Sequence, residues 1–312
     1  MEPLRHDDPL RTGPHVNLGR LDAETERAVP VRRFIARSAD GDRTFLACLP
    51  RADVDPSRWA VEAEGARRLS LPGFLAVEEV GGTAELPWWT APYVPLLPLP
   101  AALRAHGGPL PEPFVRGLGA ALARTLAGAH AQGVTHAGLS PDAVLLTLDG
   151  PRLSCFGAVR AAAPDGEPRS GLPGLDSGCL APEQAAGGRP RPLGDVYALG
   201  AVLAYAATGH TVPESGELPP YLREPVTACL SHDSGRRPEA HQVLALLESG
   251  TGTTAAHRAT VLDPAAPMPL PAPVVAELAR RSARVLAAEL PLSARPVPVP
   301  PLPVPPVPVH LD

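Results

Sequence analysis

Residues 133–157 read GVTHAGLSPDAVLLTLDGPRLSCFG, and what this stretch holds and lacks decides how the chain is read. His136 is followed by Ala137 and Gly138, and the segment closes on Cys155, Phe156 and Gly157. Gly138 has no side chain to take a proton, Ala143 offers no side-chain oxygen to a cation, and Cys155 presents a thiol. Ser140 and Asp142 remain polar, with Asp142 as the carboxylate nearest Gly138. On this reading Asp142 is either a cap or turn residue or a displaced base.

Working outward, composition bounds the chemistry. The 312 residues suit one large two-lobed domain or two ordinary ones, and 44% hydrophobic with 20% charged residues reads as globular. A formal charge of -5 gives no global attraction to nucleic acid or to an anionic membrane. There is no lysine, all 28 basic residues are arginine, and Asn17 is the single asparagine. Any mechanism that needs a lysine is therefore excluded. Cys48, Cys155, Cys179 and Cys229 form no C-x-x-C pair, which speaks against a zinc ribbon or disulfide framework and for a reduced, cytoplasmic setting. MEPLRHDDPL lacks the pattern of a signal peptide, and no apolar run reaches the ~18 residues that span a bilayer.

Along the chain, residues 1–15 read as a polar leader. Short apolar stretches at 16–21, 33–37 and 43–49 predict strands, and a helix follows over 56–70, with Asp55 as N-cap and Trp59, Ala63 and Ala66 in helical spacing. Further strands lie within 71–94, turning at Gly81 and Gly82. Beyond Pro100 the pattern turns helical: Leu118, Leu122 and Leu126 form one stripe, Val196, Leu199, Val202 and Leu203 another, with shorter helices at 221–230 and 240–247. Residues 250–273 read as a linker and 274–290 as a helix with Val274, Leu278, Val285 and Leu286 periodic and Arg280 and Arg281 on another face. Residues 291–312 read as a Pro-rich tail, of which 296–309, nearly alternating Pro and Val, reads as polyproline II at ~3.1 Å per residue. Arg295, Pro298 and Pro301 have the spacing of an SH3-type ligand, against the plainer reading of a stiff spacer. Whether the helix docks on its own domain or on a partner is open at this level.

Over residues 13–247 the chain resembles the bacterial serine/threonine protein kinases of eukaryotic type. His136-Ala137-Gly138 stands where that family has H-R-D, and Cys155-Phe156-Gly157 where it has D-F-G. Ala181-Pro182-Glu183 matches A-P-E, Asp195 opens the D-V-x-x-L-G helix, and Arg237 matches the late arginine. The resemblance implies an α+β, two-lobed fold: a small β-rich lobe over 16–94 and a larger helical lobe over 95–249, extended by the C-terminal helix and Pro-rich tail. It further implies that Asp195 braces the catalytic-loop backbone, that Glu183 and Arg237 form a buried ion pair, and that His136, Phe156 and Gly157 are structural.

Phosphoryl transfer requires a phosphate cradle, a cation on the phosphates, metal ligands and a base. In place of the three loop glycines stand Asp22, Glu24 and Arg27, within a run read either as a remnant cradle or as a solvated acidic loop. Cys48 replaces the strand lysine, Leu46 the alanine over the adenine, Gly138 the base, Ser140 the loop lysine, and Ala143 and Cys155 the Mg²⁺ ligands. Glu62 matches the carboxylate that pairs with the missing lysine, with Arg67 or Arg68 as candidate compensation. Cys48 and Cys155 stand at positions that, by the resemblance, face one another across the family's nucleotide cleft, as inert hydrophobes or as a thiol pair or metal site. A base contributes ~10²- to 10⁴-fold and transition-state electrostatics ~10²- to 10³-fold, so the joint loss predicts no useful transfer.

The sequence thus predicts a catalytically inactive, kinase-like binding module, a scaffold or allosteric regulator that engages another protein, with no bound metal or cofactor and neither nucleic acid nor membrane as a partner. The alternatives are a serine/threonine kinase that uses ATP and Mg²⁺ with relocated catalytic residues, and a metal-independent nucleotide sensor.

Overall fold

Alternation of side chains builds the first lobe. The computed structural model describes residues 1–22, 29–214, 216–249 and 269–290. Strands β1 (Arg11–Thr12), β2 (His15–Arg20), β3 (Val31–Arg37), β4 (Thr44–Pro50), β5 (Glu79–Gly82) and β6 (Pro87–Pro92) form an antiparallel sheet in the order β1-β2-β3-β4-β6-β5. In β3, Val31 and Ile35 face one apolar cluster and Phe34 and Ala36 another, the two-residue period of a strand covered on both faces.

Residues 1–15, read from the sequence as a leader, belong to this lobe. β1 pairs with β2, the Glu2 and Arg20 backbones exchange hydrogen bonds, and Asn17 donates to the Pro9 carbonyl at 2.8 Å and to Thr12 Oγ1 at 3.0 Å. The lone asparagine thus holds the N-terminal segment against the sheet.

Helix α1 (Pro56–Arg68) begins as the sequence requires: the Asp55 carboxylate accepts from the Ser57 and Arg58 amides and Pro56 occupies the first turn. Trp59 and Ala63 are its buried positions. The chain then crosses through Tyr93–Leu96 into the second lobe.

There, helices α2 (Leu99–His106), α3 (Glu112–Ala131), α4 (Ala158–Ala162), α5 (Pro182–Ala185), α6 (Pro192–Thr208), α7 (Pro220–Cys229) and α8 (Ala240–Ser249) surround a small sheet of β7 (Leu97–Pro98), β8 (Val144–Thr147) and β9 (Gly150–Leu153). Leu118, Leu122 and Leu126 of α3 and Val196, Leu199, Val202 and Leu203 of α6 share one core. Gly209 ends α6 at φ +89°, the left-handed cap that glycine adopts without steric penalty. Helix α9 (Ala272–Ala287) follows the linker in sequence and packs against α2.

The architecture is therefore the α+β, two-lobed kinase-like fold. Glu24, Arg27, most of the linker and the whole Pro-rich tail lie outside the described residues.

Candidate functional site

The site lies where β8, β9 and the turn before them meet the first lobe. Asp195, 1% exposed, accepts from the His136 amide at 2.7 Å, the Ala137 amide at 2.8 Å and His130 Nε2 at 3.0 Å. Those bonds hold the turn in place. Ala137 sits at φ +52° and Cys155 at φ +60°, a left-handed backbone that costs a non-glycine residue on the order of 1–3 kcal/mol. Those two backbone positions carry a methyl and a thiol.

Gly138 is enclosed. A Cβ at this position would lie 2.1 Å from the Cys155 carbonyl oxygen and 3.0 Å from the Ala158 Cβ, so the backbone would have to shift to admit any side chain. Ser140 accepts from the Ala143 amide at 3.3 Å and caps the short 3-10 turn Pro141–Ala143. Asp142 lies inside that turn and is buried, so the capping role belongs to Ser140.

His136 is wholly buried, with its ring centroid 5.7 Å from that of Phe74 and 6.1 Å from that of Phe156, the latter pair nearly perpendicular, and burial brings its pKa down to about 4. It is a neutral packing residue at physiological pH.

Between the lobes, side chains pack closely around β4, and a cavity lined by Val31, Glu62, Ala63, Cys155, Phe156 and Ala158 remains beside α1. Leu46 and Cys48 of β4 are fully buried beside Leu21, Ala91, Leu96, Ala143, Leu145 and Cys155, one apolar cluster shared by both lobes. Arg33 from β3 enters the same place almost without exposed surface. Its Nε donates to Asp22 Oδ2 at 2.8 Å, a second nitrogen bonds Asp22 Oδ1, and Nη1 reaches the Asp142 carbonyl at 2.7 Å and Ser154 Oγ at 3.4 Å. Burial works against the guanidinium charge, and the Asp22 carboxylate more than restores it, keeping the proton bound more tightly than usual. Asp22 is therefore committed to Arg33 of the neighbouring strand and is buried.

The Cys48 thiol, held well above its ordinary pKa by burial, and the Cys155 thiol, raised by the same cause, are free and protonated. Their surroundings disfavour the thiolate needed for metal binding or exchange. Among the described residues no cluster of three or more His, Cys, Asp or Glu could hold a metal ion.

Glu62 is not served by Arg67 or Arg68, which both bind Glu64. Its partner is Arg160, just past Gly157, with Nε to Oε1 at 2.8 Å and Nη2 to Oε2 at 2.7 Å. Gly157 permits this approach, since a Cβ there would sit 2.0 Å from Glu62 Oε2. Arg160 also lies over the Phe156 ring at 4.9 Å.

The segment between Ala158 and Leu180 is tied by Arg169, fully buried, which donates to the carbonyls of Ala163 at 3.0 Å and Gly188 at 2.8 Å and to Asp165 at 2.9 Å. Beneath it Arg237 grips Glu183 with two bonds of 2.6 and 2.8 Å and stacks 5.0 Å over Tyr197. Arg237 is buried, whereas Glu183 retains 38% side-chain exposure, so this pair is only half withdrawn from water.

Sequence reasoning missed Arg33, Arg160 and Arg169. For Arg33 a signal existed: it alternates with Val31 and Ile35 on the inward face of β3.

Would ATP and Mg²⁺ fit? Mg²⁺ takes hard oxygen ligands, and the two positions that would supply them present Ala143 and Cys155. Leu46 and Leu145 are buried in one cluster with Cys155, and Arg33, paired with Asp22, bonds the Asp142 carbonyl next to it. The residues present do not fit that group.

The chain is 34% identical over 270 residues to a probable serine/threonine-protein kinase, PkwA, of Thermomonospora curvata, covering 80% of this chain and 36% of that protein. It is 31% identical over 269 residues to the serine/threonine-protein kinase AfsK of Streptomyces coelicolor, covering 79% and 33%. The chain belongs to the bacterial eukaryotic-like serine/threonine protein kinase superfamily. No protein-family profile matches it. Among solved structures, this kinase-like fold superposes on a mutant of the PknI kinase domain of Mycobacterium tuberculosis with a TM-score of 0.58 at 20% identity, over 77% of this chain and 96% of that one. A Rad53 structure in complex with AMP-PNP gives 0.55 at 16% identity, over 72% and 63%. The chain spans about a third of the length of the curated kinases it resembles first. No helix among the described residues is long and apolar enough to cross a membrane.

Proposed function

We propose that this kinase-like domain is a pseudokinase, a protein-binding scaffold or allosteric regulator in bacterial signalling, acting in the cytoplasm without nucleotide, metal, nucleic acid or membrane. The observation that carries the proposal is Arg33, paired with Asp22 and bonded to the Asp142 carbonyl where the lobes meet. Gly138, whose surroundings admit no side chain, supports it, as do the buried thiols of Cys48 and Cys155. The retained elements, Asp195, His136, Phe156, Gly157 and the Glu183–Arg237 pair, serve the fold in this reading and keep the lobe surfaces presented to a partner.

The names of the relatives favour the alternative, a serine/threonine kinase that moves the γ-phosphate of ATP with relocated residues. Its candidate base is Asp142. A phosphate-transfer assay with labelled ATP, Mg²⁺ or Mn²⁺ and a generic protein substrate tests both. The expected result is no transfer above a heat-treated control. Transfer that disappears in Asp142→Ala, with that variant folded by circular dichroism, would establish the alternative.

A further inference from the structure

We propose that α9 is an intrachain clasp: it spans both lobes at their junction and restrains their opening. This inference does not depend on whether the domain transfers phosphate. Its buried positions are Val274, Leu278, Arg281 and Val285, one face of a helix at spacings of four, three and four residues. Val274 and Leu278 join the core of the second lobe, where the helix packs on α2. Val285 joins the cluster that holds Leu21, Leu46, Leu96 and Leu145 between the lobes.

Its polar bonds reach the first lobe and the connection. Arg281 Nη1 donates to the Leu21 carbonyl at 3.2 Å, beside the Asp22 that pairs with Arg33. Arg37 of β3 donates to the carbonyls of Val285 at 2.7 Å and Ala288 at 2.6 Å. The last carbonyls of a helix have no partner within it, so the first lobe caps α9 with a cation at the end where its dipole favours one. Ser282 hydrogen-bonds Tyr93 in the segment that joins the lobes. One rigid rod thus has anchors in α2, in the connection and in the first lobe. Lobe opening would have to break one set of them.

Two sequence expectations are corrected here. Arg281 lies on the apolar face, 7% exposed, whereas Leu286, expected in the buried stripe, is 82% exposed.

The test uses the full chain with a protease recognition sequence inserted within residues 250–268 and cut after purification. The C-terminal fragment is expected to co-elute with the body in size exclusion at micromolar concentration. Arg37→Ala should weaken its retention by about tenfold, the loss of charge-assisted bonds to the helix end, and Leu278→Asp should release it. Hydrogen exchange in the 93–96 peptide should rise in step with release. Dissociation of the unsubstituted fragment at that concentration, or retention unchanged in both variants, would overturn the proposal. Arg37→Ala keeps the test decisive if Leu278→Asp fails to fold.

Discussion

Two arginine–carboxylate pairs hold this molecule in contrasting ways. Arg237 and Glu183 lie under the second lobe, half open to water, at the positions matched to the late arginine and to A-P-E. Arg33 and Asp22 lie almost without exposed surface, and Arg33 also bonds the Asp142 carbonyl of the second lobe. One pair ties two segments of a single lobe, and the other links the first lobe to the second. The same ion-pair chemistry thus works under different physical demands: a half-solvated carboxylate within one lobe and a fully enclosed guanidinium where the lobes meet.

The comparison can be broken by substitution. Arg33→Ala leaves Asp22 buried without its cation, and removal of one partner from a buried pair costs about 3–5 kcal/mol. The expected outcome is the largest loss of denaturation midpoint among these variants. The double change Asp22→Leu with Arg33→Met should recover most of it, since apolar replacement of a buried pair is often neutral. A recovery confined to the single Asp22 change would place the strain on the aspartate alone.

Acidification should come next in size. His136 titrates near 4 in the folded chain because it is buried, against 6.5 for the free side chain. The unfolded state therefore binds the extra proton first, and stability is lost as pH falls from about 6.5 to 4, by on the order of 3 kcal/mol. Urea midpoints measured across that window should flatten in His136→Phe.

Glu183→Gln should cost less, about 1–2 kcal/mol, because water already screens a carboxylate with this exposure. Thermal midpoints rank it against Arg33→Ala; an equal or larger drop for Glu183→Gln would reverse the comparison. Ala137→Gly should change stability by less than about 1 kcal/mol, as relief of the left-handed backbone offsets a lost buried methyl.

The helical lobe was legible because its signals are local. Leu118, Leu122 and Leu126 repeat at helical spacing, and Asp195, Glu183 and Arg237 sit in short motifs that specify their own partners. The contents of the cleft were less so. Leu46 announced a larger side chain over the nucleotide space, but Arg33 bonds a carbonyl 109 residues away and Arg160 a carboxylate 98 residues away. Such pairings depend on how strands and loops come together, and an arginine-only chain offers many candidates. Arg67 and Arg68 were the near choices for Glu62, yet as helical neighbours of Glu64 they bind it at three and four residues' distance. The N-terminal segment read as a leader because its backbone pairing with β2 leaves no mark in residue type.

The proposal that this domain takes no nucleotide is tested most directly by nucleotide binding. The purified full chain is heated with millimolar ATP, with and without Mg²⁺ or Mn²⁺, and its unfolding midpoint compared with the ligand-free protein. No shift is expected, because Leu46 and Leu145 are buried in one cluster with Cys155 and Arg33, paired with Asp22, bonds the Asp142 carbonyl next to it. A nucleotide held at about a hundred times its dissociation constant would stabilise the fold by about 2.7 kcal/mol. A rise of several degrees, lost on competition with a second nucleotide, would contradict the proposal.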